Sequence, residues 1–249
     1  MNLLELWATV LLVLGGFSFM KKLLPRLKQA LPAIIYMAIY LTWFYLIENM
    51  KGRDYTIIHM KVDDKIPFCE LFIIPYLLWF FYIAWILIYL LFKNTKDFHK
   101  CCKFLFTGMT VFLIISTLFP NRHYLRPWIM PRNNIFTQMV TMLYRVDTST
   151  NLWPSIHVYN SLGVLFAVTH NERLGSKKWI KFSCFSLSVL IILSTVFLKQ
   201  HSLFDVMTAF IMAATVYIFT YRTDLLSSLR HSYEEYRKRS DKSADRLWR

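Results

Sequence analysis

His157, His201 and Asp205 are the residues of this chain whose types and spacing best suit chemistry. His157 closes the polar stretch Asn151-Leu152-Trp153-Pro154-Ser155-Ile156-His157, just before an apolar run. His201 and Asp205 lie in Lys199-Gln200-His201-Ser202-Leu203-Phe204-Asp205, at the start of another. Ionisable groups at the edge of a hydrocarbon span are costly and mark working sites. A carboxylate four residues after a histidine shares its helix face. There it accepts from one ring nitrogen and leaves the other free as a nucleophile. Pro154 suits a first helical turn, because its missing N–H would have no partner there. Ser155 and the next backbone N–H groups would then form an exposed helix N-terminus, whose donors and dipole attract phosphate. His157, in the same turn, is placed to exchange a proton with a leaving oxygen, and Asn160 follows on the same face. Lys199 and the loop arginines supply the cations that a transferring phosphoryl group needs.

The elements that must hold these groups are apolar helices. Of 249 residues, 56% are hydrophobic and only 18% charged, which is unlike a soluble domain. Apolar runs at 3–20, 31–47, 71–92, 104–120, 155–169, 179–198 and 203–221 reach or approach the roughly 20 residues that cross a bilayer core. The expected fold is an all-α polytopic membrane helix bundle. An N-terminal hydrophobic helix and basic cytoplasmic loop occupy 1–30, a six-helix membrane domain 31–222, and a charged cytoplasmic tail 223–249. The first run precedes Lys21-Lys22 rather than following a basic segment, so a signal anchor or interfacial helix is expected there, not a cleaved signal. The long 121–154 segment is expected to contain a short interfacial helix at 135–144.

The net charge of +14 does not point to nucleic acid, because the basic residues fall in the gaps between apolar runs. With a cytoplasmic C-terminus, the inner gaps hold Lys21, Lys22, Arg26, Lys28, Lys93, Lys96, Lys100, Lys103, Arg173, Lys177, Lys178 and Lys181, besides the basic tail. The outer segments hold fewer, which places the 121–154 loop and His201 on the extracytoplasmic face of a cell-membrane protein. Cys69, Cys101, Cys102 and Cys184 show no metal-type spacing and no pair in one oxidising compartment. Reduced structural thiols and no metal or other cofactor are expected.

These residues carry a resemblance. The chain resembles the type 2 phosphatidic acid phosphatase superfamily, which includes lipid phosphate phosphatases and vanadium haloperoxidases. That family's motifs run K-x6-R-P, P-S-G-H and S-R-x5-H-x3-D. Here they correspond to Arg126-Pro127, Pro154-Ser155-Ile156-His157, and Ser194-Thr195 through His201 to Asp205. Ile66-Pro67-Phe68, Phe72-Ile73-Ile74-Pro75-Tyr76 and the run 194–201 resemble the inositolphosphotransferase-like branch. Phe119 stands where the first motif has lysine, Ile156 where the second has glycine, and Thr195 where the third has arginine. The resemblance implies a six-helix phosphatase core with one extra N-terminal helix. It implies His201 as nucleophile, Asp205 as its orienting partner and His157 as acid and base, with Arg126, Ser155 and Lys199 binding phosphate and no metal taking part. Arg122 is a candidate substitute for the missing lysine.

The function this implies is a lipid phosphate phosphatase acting on phosphatidic acid, phosphatidylglycerol phosphate or polyprenyl diphosphate through a phosphohistidine. Its partners would be the bilayer and the lipid, without nucleic acid. The alternative is a phospho-group transferase with the same intermediate and an alcohol as acceptor. A transporter with a histidine–aspartate proton relay fits less well, because the chain has six glycines, no repeat, and ionisable residues gathered at one interface.

Overall fold

The computed structural model describes residues 3–50, 52–222 and Tyr233, with side chains from Leu24 onward. The side chains of the 3–20 segment and, Tyr233 apart, the tail expected at 223–249 lie outside the described residues. The architecture is an all-α bundle. The first helix, α1, runs from Leu3 to Glu48. After the outer segment come α2 (Ile73–Lys93) and α3 (Thr95–Leu118), then a second outer segment with the short α4 (Ile135–Val146). The chain closes with α5 (Ile156–His170), the single turn α6 (Glu172–Gly175), α7 (Lys178–Phe197) and α8 (Leu203–Tyr217).

Two boundaries differ from the sequence reading. The backbone is helical through 21–30, so the two expected N-terminal elements form one helix without an intervening loop. The basic residues of that stretch do not break it, since lysine and arginine are good helix formers. Helix α3 begins at Thr95 rather than near 104, because the Asn94 side chain accepts the Asp97 N–H and caps it. The polar turn it starts lengthens an apolar core that is visible in sequence only from Phe104. The remaining helices fall within a few residues of their apolar runs.

Among the described residues, five helices are long and apolar enough to cross a membrane: Leu24–Glu48, Glu70–Lys93, Thr95–Leu118, Lys178–Phe197 and Leu203–Arg222. Their outward faces carry exposed Phe81, Ile88, Phe182, Ile211 and Phe219, as helices facing lipid do. Helix α5 is different. It packs against α2, α3, α7 and α8 and is surrounded by them, so its 15 residues have no lipid-facing stripe. Close approach makes this possible. Tyr159 of α5 stacks on Phe104 with ring centroids 4.7 Å apart and donates its hydroxyl to the Phe104 carbonyl at 2.7 Å. Polar bonds also tie helix to helix where apolar transfer gives no driving force, among them Tyr36 to Phe106 O, Trp43 to Thr117 and Tyr82 to Ser188.

The outer segments are woven together above the bundle. Strand β1 (Thr56–Ile57) pairs in parallel with β2 (Asn121–Arg122), and Asn151 N–H donates to the Asn121 carbonyl at 2.7 Å. The buried Asn121 side chain then accepts the N–H groups of Leu152 and Trp153. Glu48 and residues 56–58, 121–122 and 150–153 thus form one platform from which α5 descends.

Gly108 of α3 faces Tyr159, and a methyl group there would lie 2.1 Å from the ring. The ring is held on both sides, by the Phe104 stack and the hydroxyl bond. We expect Gly108→Ala to destabilise the bundle by about 1–3 kcal/mol. Thermal unfolding in detergent checks this, and an unchanged midpoint would contradict the packing.

Candidate active site

The end of α7 turns back through a Schellman motif. Lys199 has φ +52°, its N–H donates to Val196 O at 3.1 Å, and Gln200 N–H donates to Thr195 O at 2.9 Å. The motif usually has glycine at the left-handed position, and a lysine there costs about 1 kcal/mol. Thr195 also accepts His201 N–H at 3.0 Å, and its own hydroxyl donates to Ile192 O. Where the family has arginine, this chain has a fully buried helix-end residue.

The next helix starts immediately. Ser202 is the N-cap of α8, and Asp205 is its third residue. Asp205 Oδ2 accepts Ser202 N–H at 3.0 Å, forming a capping box, and the same oxygen lies 3.3 Å from His201 Nδ1. His201 therefore stands one residue before the cap. It meets Asp205 because the carboxylate reaches back over the helix start, not because the two share a helix face, as the spacing suggests. Both are buried.

The start of α5 is fastened to this turn. Ser155 N–H donates to Asp205 O at 3.3 Å, and Trp153 Nε1 donates to Thr208 at 2.9 Å. Ser155 is the N-cap, with Val158 N–H directed at its Oγ at 3.4 Å, and Pro154 lies before the cap rather than in the first turn. This helix start is enclosed: Ser155 has no exposed surface. His157 packs on Tyr76 and Trp79 of α2, with ring centroids at 4.6 and 4.3 Å, and its centroid lies 5.7 Å from that of His201. Asn160 is buried below it in the same helix. His157 and His201 line one small cavity of about 30 Å³ with Phe44, Phe112, Asp147 and Thr150 among its walls. That is about the volume of one water molecule.

The expected phosphate cradle is arranged differently. Arg126 lies at the site but engages protein: Nη1 donates to Tyr144 O at 3.2 Å, Nη2 to Asp147 O and Thr148 O at 2.7 Å, and Nη2 also to the Gln200 side chain. Burial lowers its pKa, against the opposing pull of Asp147. Lys199 points away. Its Nζ donates to Asp63 O at 2.6 Å, and it lines a separate outer cavity of about 600 Å³ with His59, Asp64, Phe68 and Tyr124. Burial also lowers the Lys199 pKa, while Asp63 and Asp64 act to raise it. Arg122 sits by the rings of Tyr55 and Tyr124, 5.7 and 4.5 Å from their centroids. Phe119 is exposed in the outer segment. Among the described residues, no group of three or more His, Cys, Asp or Glu side chains forms a candidate metal site.

Several site residues escape the sequence reading. Asp147 faces the cavity, with its Oδ2 accepting from Tyr76 Oη at 2.6 Å and from Gln200 Nε2 at 3.3 Å. Glu48, at the end of α1, accepts from Thr148, Thr150 and Asn151 and so steadies one wall. The buried His123 donates from Nε2 to Gln200 O at 2.8 Å, while its Nδ1 accepts Leu125 N–H at 3.2 Å. Only the acidic and basic character of the outer segments hints at these partners. The pairing of residues 53 to 103 positions apart leaves no periodic signal.

His123 offers a pH test. Both ring nitrogens already have partners that fit the neutral ring, and burial pushes its pKa down from 6.5 to about 4. Between those values the unfolded chain binds more protons than the folded one. The stability contribution is therefore full above the unfolded value and is lost as pH falls toward the folded one. We expect the thermal midpoint in detergent to fall as pH drops from 6.5 to about 4, with His123→Gln flattening that part of the profile. An identical profile in the variant would refute the assignment.

No curated protein and no solved structure matches the chain. One family model does, over residues 125–227, a segment that begins just before Arg126 and contains Ser155, His157, Lys199, His201 and Asp205. That model is of the PAP2 superfamily, and the motif order, the two histidines on one cavity and the buried carboxylate behind one of them agree with the match.

Proposed function

We propose that this protein is a metal-independent lipid phosphate phosphatase that works through a phosphohistidine at the extracytoplasmic face. The observation that carries the reading is His201, whose Nδ1 lies on the Asp205 carboxylate while its ring lines the cavity shared with His157. The match to the PAP2 superfamily model supports a phosphatase-type hydrolase, and the span-capable helices support a multi-pass membrane protein.

The reaction follows from those positions. His201 Nε2 attacks phosphorus, a P–N bond forms and the P–O bond to the lipid breaks. The leaving oxygen takes a proton from protonated His157. Water then attacks phosphorus, His157 takes its proton, and the P–N bond breaks to release phosphate and restore His201. Asp205 holds the ring and stabilises its charge in between. Ser155 and Arg126 are the phosphate contacts of this scheme, Arg126 by exchanging a carbonyl partner for the substrate, and Lys199 would join them only by leaving Asp63. Phosphatidic acid, phosphatidylglycerol phosphate and polyprenyl diphosphate are the candidate substrates.

A transferase reading has one observation in its favour. Asp147 and Thr150 line the cavity and offer hydroxyl-binding groups, which suit an alcohol acceptor as well as water.

Phosphate release by purified protein in detergent, assayed across the three lipids, tests the proposal. We expect His201→Ala to lose at least about 1,000-fold and His157→Ala about 100- to 10,000-fold, with EDTA harmless. Full activity in His201→Ala, or abolition by EDTA, would sink it. Added inositol that diverts product from free phosphate into a phosphoester would favour the transferase.

Orientation is tested separately at Trp128, which is 97% exposed. In a Cys69→Ser background, Trp128→Cys should react with a membrane-impermeant thiol reagent in intact cells. Protection until the membrane is opened would place the site on the inner face.

A further inference from the structure

Asp63 has no part in the phosphoryl scheme, yet its carboxylate is buried, at 1% exposure, against the turn that carries His201. It sits in a short 3-10 turn, Asp63–Lys65, in the first outer segment. Oδ2 accepts the Ser202 hydroxyl at 2.6 Å and Met60 N–H at 2.8 Å, and Oδ1 accepts Leu203 N–H at 2.8 Å. Ser202 and Leu203 are the cap and first residue of α8. On the other side of His201, Lys199 Nζ binds the Asp63 backbone carbonyl at 2.6 Å. One residue, far away in sequence, therefore grips the chain both before and after the histidine.

We infer that Asp63 is a positioning residue for His201. It fixes the 199–203 corner, and with it the aim of the His201 ring between Asp205 and the cavity. The chemistry of the grip explains why a carboxylate stands there. Three donors converge on two oxygens, and two of them are backbone N–H groups that cannot reverse. An asparagine would turn its NH₂ toward one of those N–H groups whichever way it was flipped. A negative charge also suits the unpaired N–H groups at a helix start. Lys199 completes the latch as a clamp, a role distinct from the phosphate contact its motif position implies.

The inference rests on His201 being the nucleophile, and the experiment separates the two. Full-length protein in detergent is compared as wild type, Asp63→Ala, Asp63→Asn, Lys199→Met and His201→Ala. The readouts are hydrogen exchange by peptide and turnover of phosphatidic acid. Asp63→Ala should speed exchange over 199–206 while leaving α2 and α5 unchanged. Its kcat should fall about 100-fold, the cost expected of a misaimed group, with KM within about threefold. Asp63→Asn, which keeps part of the grip, should recover to within about tenfold of wild type. Lys199→Met should show the same exchange pattern more weakly. Wild-type exchange over 199–206 in Asp63→Ala overturns the inference, whether or not phosphatidic acid is turned over. So does wild-type kcat in Asp63→Ala when His201→Ala is inactive. Wild-type kcat in His201→Ala instead overturns the nucleophile assignment itself. If Asp63→Ala does not yield folded protein, Asp63→Asn and Lys199→Met decide by the same exchange pattern.

Discussion

The start of α8 is the point on which the rest of the site depends. A helix beginning inside a membrane protein has unpaired N–H groups that no lipid can satisfy, so protein must supply every acceptor. Here Asp205, Ser202 and Asp63 supply them. The carboxylate that caps the helix is the one that meets the histidine, so the group orienting His201 is already held by the need to begin a helix. The same solution recurs at α5, where Ser155 caps the start and its N–H crosses to Asp205 O. One helix start thus supplies an acceptor to the other, and the histidines beside them are brought onto one cavity.

Around this centre, positive charge is directed to carbonyl oxygens. Arg126 gathers the carbonyls at the end of α4, Arg53 those of Ser116 and Thr117, and Lys199 that of Asp63. Each closes a place where regular backbone bonding stops. Negative charge is used in the complementary sense. Glu70 receives Arg132 and Asn134, and Glu48 receives the 148–151 turn. The outer segments have few regular elements, and these charged contacts replace the ladder bonds they lack.

Much of this was legible in the chain. Long apolar runs announced the helices, because spanning a bilayer demands unbroken apolar length. His157, His201 and Asp205 stood out because ionisable groups are rare at such boundaries. The reasons for two of the readings were different from their outcome. Asp205 reaches His201 across a cap, not along a face, and Ser155 closes a helix start that was expected to lie open. What stayed hidden was the second layer: Asp63, Asp147, Gln200, His123 and Glu48. Their partners lie far off in sequence, and an outer-segment aspartate looks the same whether it faces solvent or holds the turn that carries His201. Lys199 and Arg126 were recognisable as cations, but nothing local says whether a cation will meet a ligand or a carbonyl.

The way Arg126 is held has a consequence for selectivity. A guanidinium fixed by the carbonyls of Tyr144, Asp147 and Thr148 acts on the cavity as a standing field rather than as a hand that closes on a guest. A field of that kind favours an anion by its charge and is indifferent to the number or direction of its oxygens. Shape discrimination must then come from the walls, where Tyr76 and Trp79 brace the His157 ring and the Asp147 carboxylate, of the same sign as a phosphate, keeps an anion off one side. Such a chamber sorts its guests by how they fit beside aromatic rings and a carboxylate, with attraction as a constant background.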